Sequence, residues 1–251
     1  MVSCFFPLAA VLYALLLHAL ARTGVTGASL LSTEGGAPGY ALAFRSAGAI
    51  FRLVAIFALA SGAFAIAPEL ESGRHRMPLL HAARGAWLAG KGAFLGVLGA
   101  AVLALVMASA LATGAATCHL QGIEAGGLVI HSNTALFGSA LAATLLAILP
   151  LATFVLLGVA VSTLARSGEL ALLFALVAVT ILWGLSLLPG VGGTIFLSRA
   201  GWPLEVARSK SEGLRTEAFL PGLVPFVLVH AAWMAALAAL AIIAFKKRDL
   251  P

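Results

Sequence analysis

Ala67 to Lys91 reads Ala-Pro-Glu-Leu-Glu-Ser-Gly-Arg-His-Arg-Met-Pro-Leu-Leu-His-Ala-Ala-Arg-Gly-Ala-Trp-Leu-Ala-Gly-Lys. It joins two long apolar runs. Of nine acidic residues in the chain it holds Glu69 and Glu71, and of fifteen basic ones Arg74, Arg76, Arg84 and Lys91. Charge this scarce, gathered into one connection, marks a segment that meets water and is presented to a partner. The rest of the chain explains the contrast: 62% of residues are hydrophobic, 10% are charged, and mean hydropathy is +1.09. A water-soluble domain of this size could not cover its surface with so few charges. The expected fold is therefore all-α and integral to a membrane. The length suits a single domain, residues 1–251, of about six spans at about 20 residues each.

The expected spans cover residues 2–21, 46–66, 92–112, 134–164, 170–188 and 219–245. The first run competes with a signal peptide, but it lacks a basic start and its apolar core is longer than a signal normally has. Residues 134–164 form one run too long for a straight span. Pro150 removes an amide donor within it, so a kink is expected. Pro189 to Ala218 is the longest connection, and from Pro203 onward it becomes amphipathic, which fits a short interfacial helix opening at a proline. Cys4 and Cys118 are too few and too far apart to suggest a disulfide framework or a metal site.

Glu69 and Glu71 ahead of Gly73, then Leu79-Leu80, Arg84 and Gly90-Lys91, resemble the segment after the second span in permease subunits of type-2 ABC transporters. Those permeases usually carry a threonine after the glycine and a proline before the arginine, where this chain has Arg74 and Ala82-Ala83. Ser162-Thr163-Leu164-Ala165-Arg166-Ser167 at the end of the fourth run is similar to a second family element. The ending Phe245-Lys246-Lys247-Arg248-Asp249-Leu250 is similar to a third. The basic elbow helix usual before the family's first span has no counterpart in these residues, so the start is either truncated or dispenses with it.

The resemblance implies a type-2 exporter permease fold in the cytoplasmic (inner) membrane. Two permease chains, identical or different, would work with two ATP-binding subunits. ATP and magnesium would be held by those partner chains and no cofactor by this one. Glu69, Glu71, Gly73, Arg74 and Arg84 would form the surface coupled to the ATPase. Within it Gly73 would end the second helix, Gly90 would admit close packing, and Lys91 would reach the headgroups.

With the N-terminus cytoplasmic, eight basic residues fall in inner connections (Arg74, Arg76, Arg84, Lys91, Arg166, Lys246, Lys247, Arg248). Six fall in the longer outer ones (Arg22, Arg45, Arg199, Arg208, Lys210, Arg215). The inner connections are the denser, so both termini and the Ala67–Lys91 loop are expected inside.

Four other features have a functional and a plain reading. Arg52, about two turns inside a span, is a weak candidate for substrate contact, and snorkelling to the interface accounts for it more simply. His230, mid-span, reads as a residue bonded to a neighbouring helix's carbonyl rather than a proton relay. Gly92, Gly96 and Gly99 form a small-residue face on the third span and read as packing. His119 and His131 flank Glu124 at spacings that match no ligand motif, so no metal is expected.

The chain has no phosphate-binding Gly-rich loop, no His-Glu-x-x-His and no Gly-x-Ser-x-Gly, and it reads as a transport subunit, not an enzyme. No span holds an acid deep inside, which disfavours an ion-coupled carrier. The net charge of +6 comes from juxtamembrane Lys and Arg with no aromatic interleaving, so nucleic acid is not an expected partner. A competing function is an ATPase-coupled machine that acts on a periplasmic partner, in maturation or motility, without moving a solute.

Overall fold

Strongly apolar runs with few partners for their amides must satisfy them within the segment, and helices do so. The computed structural model describes residues 6–7, 9–16, 37–72, 84–125, 127–214 and 219–247. In chain order these form α1 (Pro38–Ala63), α2 (Ala67–Glu71), α3 (Arg84–Cys118), β1 (Ile123–Ala125), β2 (Leu128–His131), α4 (Asn133–Leu146) and α5 (Ile148–Leu164). There follow α6 (Gly168–Ser186), α7 (Phe196–Arg199), α8 (Trp202–Ser211) and α9 (Phe219–Lys247). Among the described residues, five helical segments are long and apolar enough to cross a membrane: Pro38–Glu71, Gly85–Cys118, Asn133–Leu164, Gly168–Ser186 and Pro221–Lys247. The protein is a helical, multi-pass membrane protein. Of the expected first span only residues 6–7 and 9–16 are described; they are helical, with Ala10 and Ala14 fully buried.

Several boundaries differ from the sequence reading. Where a kink was expected at Pro150, the helix is interrupted at Ala147, between the residues of α4 and α5. Pro150 has no N–H for the carbonyl of Leu146, so the ladder fails one turn upstream of the ring. The Gly-rich stretch before α4 forms a short hairpin. Its β1 and β2 pair antiparallel, Glu124 opposite Val129 and Ala125 opposite Leu128, with a register shift beside Ile123. The amphipathic helix expected at Pro203 is present as α8, with the proline in its first turn.

The residues group into two compact units. One comprises Met1–Val54, Ala101–Ala147 and Gly201–Leu223. Here the start of α1 lies against the end of α3, with Gly39 and Gly114 in backbone contact. Tyr40 and Phe44 are buried in the core, and the Tyr40 hydroxyl donates to Asn133 Oδ1 at 2.5 Å. Arg45 donates from Nε and Nη2 to Glu212 Oε1 (3.0 and 2.7 Å), which fastens α1 to the residue that caps α8.

The other unit comprises Ala55–Ala100, Ile148–Ala200 and Val224–Pro251. Its most buried element is α5, which meets the second half of α1 where Gly62 faces Gly158. Phe196 of α7 packs edge-on to Phe154, His230 and Trp233, and the Trp233 indole donates to the Thr194 carbonyl at 2.9 Å. His230 is fully buried. Its Nδ1 bonds the Phe226 carbonyl of its own helix (2.8 Å), not that of a neighbour as the sequence suggested, and its Nε2 has no hydrogen-bond partner among the described residues. The glycine face read on the third span is not where close packing occurs. Side chains added at Gly90, Gly96 and Gly99 would meet nothing within 4 Å, and one at Gly92 only the tip of Leu156 at 3.9 Å.

Candidate functional site

The second apolar helix does not run smoothly into the charged connection. After Ala63 the chain makes a turn through Phe64–Ile66 and restarts as the five-residue α2. A break of this kind leaves backbone groups without intrahelical partners. One side chain from α5 supplies them. Ser162 Oγ donates to the Ala63 carbonyl (2.6 Å) and accepts from the amides of Ile66 (3.1 Å) and Ala67 (2.9 Å), in a position with no solvent exposure. Pro68, in the first turn of α2, needs no amide partner there. It rests against Gly168, where an added methyl group would lie 2.8 Å from Pro68 Cγ and 2.9 Å from the Phe64 ring.

The far end of the connection returns to the same place. Lys91 Nζ donates to the Ala65 carbonyl at 2.7 Å and forms an ion pair with Glu69 Oε1. The ammonium also sits 4.6 Å from the centre of the Trp87 ring. Trp87 in turn stacks on Phe245, at 5.5 Å between ring centres. The expectation that Lys91 reaches out to headgroups therefore gives way to a different arrangement, in which it bridges α3 to the broken end of α1. At relative exposures of 22% and 36% the Lys91–Glu69 pair contributes about 1 kcal/mol or less on its own. Its value is positional. A cation placed on the carbonyl of an interrupted helix satisfies an orphan acceptor and the negative end of the helix dipole together. Between these residues lies a cleft of about 550 Å³, bordered by Ser61, Phe64, Glu69, Trp87, Lys91 and Phe94.

The expected site residues fare differently. Glu69 is held by Lys91. Glu71 ends α2, exposed and without an ion pair among the described residues. Gly73 and Arg74 lie outside the described residues, and Arg84 opens α3 with its side chain likewise outside them. Arg52 belongs to the other unit and is exposed on α1, with no ion pair among the described residues. This suits snorkelling, since a long cationic side chain reaches the interface without a protein partner. Arg52→Lys should then insert and fold as wild type, whereas Arg52→Glu should lower the folded yield severalfold, read as the monodisperse fraction in mild detergent. Loss of folded protein in Arg52→Lys would require a partner that only a guanidinium satisfies.

Sequence reasoning missed Ser162 as a structural link, although its neighbourhood stood out, because nothing local marks a serine whose partners are nearly a hundred positions away. Among the described residues the arrangement ties both ends of the charged connection to each other and to α5, α6 and α9. Compared with known proteins, the sequence matches no family model and no curated protein.

Proposed function

We propose that the chain is the permease subunit of an ATP-driven type-2 ABC transporter, an exporter whose Ala67–Lys91 connection is the surface moved by a separate ATP-binding subunit. The observation that supports this most directly is the double anchorage of that connection. Ser162 grips its entry and Lys91 its exit, so a force on the loop reaches α1, α3 and α5 together. A plain solvated loop has no need of either grip. The acidic pair divides its work: Glu69 turns inward to Lys91, and Glu71 is left exposed for a partner.

In this reading a second permease chain completes the path. Both termini and the connection face the cytoplasm of an inner-membrane protein, and ATP and magnesium stay in the partner subunit. ATP acts through the different contacts the ATPase makes with the loop in its two states.

Charge reversal tests the proposal. Glu71→Lys and Arg84→Glu should each weaken co-purification of the ATP-binding subunit by about 30-fold or more, because losing one member of a desolvated interfacial charge pair costs about 2–5 kcal/mol. Glu124→Lys, in the hairpin, is the control and should dock as wild type. Glu212 would not serve, since it pairs with Arg45. Wild-type docking and ATPase rate in both reversals would reduce the connection to a solvated turn.

One feature favours the alternative, a machine that acts on a periplasmic partner without moving a solute. The hairpin carries three successive apolar residues, Leu128, Val129 and Ile130, at exposures of 75%, 61% and 49%. If they serve that partner, replacing all three by serine abolishes activity while leaving ATPase docking intact.

A further inference from the structure

Four cations are described in the unit that holds the hairpin, and they are not equally placed. Arg45 is bonded twice to Glu212, and Arg208 Nε lies 3.8 Å from the same carboxylate. Arg52 is exposed. Lys210 is different: it is partly buried, has no carboxylate within ion-pair distance among the described residues, and donates to the Ser139 hydroxyl at 2.8 Å. An ammonium has three donors, so this contact leaves two to be met.

Lys210 is the last residue of α8 to line a cleft of about 380 Å³ between α4 and α8. Gly138, Ala142 and Leu146 form one wall; Pro203 and Val206 belong to the other. From Pro203 to Lys210 the wall is about 10 Å long at helical rise. The space equals roughly a dozen water molecules, yet among the described residues Lys210 and Ser139 are its only polar side chains. Water without polar partners is poorly held, and apolar cavities of this kind take apolar ligands.

The second wall, α8, is amphipathic, and the first, α4, is the opening half of a membrane-spanning segment. The cleft therefore opens where membrane meets water, and lipid is the abundant amphiphile there. His131 does not line the cleft, and burial, then the nearby Lys210 ammonium, hold its imidazole below the usual range. The site thus offers a single positive charge at one end of an apolar slot.

We propose that the α4–α8 cleft binds an anionic phospholipid, its phosphate on Lys210 and Ser139 and one acyl chain along Gly138, Ala142 and Leu146. This is independent of the transport reading. The site would hold whether or not an ATPase partner exists.

Native mass spectrometry of the delipidated protein tests it, with phosphatidylglycerol and phosphatidylcholine of equal chain length as probes. Wild type should bind one phosphatidylglycerol about tenfold or more tighter than phosphatidylcholine. Lys210→Gln, which can still bond Ser139, should bring that preference below about twofold. Gly138→Leu should weaken both lipids. A methyl group added at Gly138 meets nothing within 4 Å, and the residue lines the cleft, so the larger side chain is directed at the slot. Arg208→Gln, outside the cleft, should bind as wild type. Melting of the lipid-free variants within a few degrees of wild type keeps the comparison free of misfolding. An undiminished preference in Lys210→Gln would overturn the proposal. So would displacement of the lipid by millimolar inorganic phosphate, which would make this a free-anion site. Loss of a dimeric species in Gly138→Leu with lipid binding unchanged would place a second copy of the chain in the cleft and overturn it equally.

Discussion

Gly158→Leu should leave almost no folded protein in the membrane. A side chain at Gly158 would overlap the Leu59 carbonyl oxygen and come within 2.7 Å of the Ala63 amide nitrogen, and one at Gly62 would meet the backbone at Val155 in the same way. These are main-chain atoms of two helices in direct contact, and no rotamer change relieves the overlap. Overpacking a core costs about 1–3 kcal/mol when flexible side chains can shift. Here whole helices must separate, which takes the cost to the upper end of that range or past it. Against a total stability of about 5–15 kcal/mol, that removes much of the margin. Fluorescence-detected size-exclusion chromatography in mild detergent should show aggregate in place of the wild-type peak. Gly99→Leu is the control and should elute as wild type, since its added side chain meets open space. A monodisperse Gly158→Leu peak at wild-type height would mean that α1 and α5 do not approach at these glycines.

Ser162→Ala should destabilise the protein by about 2–4 kcal/mol, with the damage concentrated at one place. The substitution leaves the Ile66 and Ala67 amides and the Ala63 carbonyl without their shared partner in a buried position. Each orphaned group costs about 1–3 kcal/mol, offset in part where water can enter. Hydrogen exchange read by mass spectrometry should speed up for the peptide covering Phe64–Leu70, while peptides within α6 and α9 change little. Protection of Ile66 and Ala67 unchanged from wild type would show that the serine is not their acceptor.

Five of the six expected spans were legible as long apolar helices, because about 20 apolar residues in a row have few other uses. Their ends were not, and Arg45 and Lys91 show why. A lone charge at the edge of an apolar run reads as the water boundary, so the second and third spans were expected to open at 46 and 92. Arg45 has Glu212 as its partner, 167 positions on, and Lys91 has Glu69, so α1 opens at Pro38 and α3 at Arg84. A long-range partner lets charge lie within a helix, and no local pattern announces it.

Glycine spacing misled for a related reason. Gly92, Gly96 and Gly99 have the periodicity of a packing face and meet almost nothing, whereas Gly62 and Gly158, which form no such repeat, bring the backbones of α1 and α5 together. The hairpin was hidden because six paired residues in Gly-rich surroundings resemble a turn. Of the expected site, the position of the acidic pair at a helix end was readable. That Glu69 would turn inward and Glu71 outward was not, since both carry the same charge in the same short segment.

The serine grip on the broken helix has a consequence for synthesis. Ser162 lies 96 positions after Ile66, the amide it satisfies. At about 5–20 residues per second, the ribosome adds that serine roughly 5–20 seconds after the amide has been made. Through that interval the glycine face of α1 has no α5 to meet, and the donors at the helix restart must be met by interfacial water or by the insertion machinery. The nascent chain is therefore most exposed to degradation or wrong pairing between the completion of its second and fourth apolar segments, and slowing of translation within that window lengthens the hazard in direct proportion.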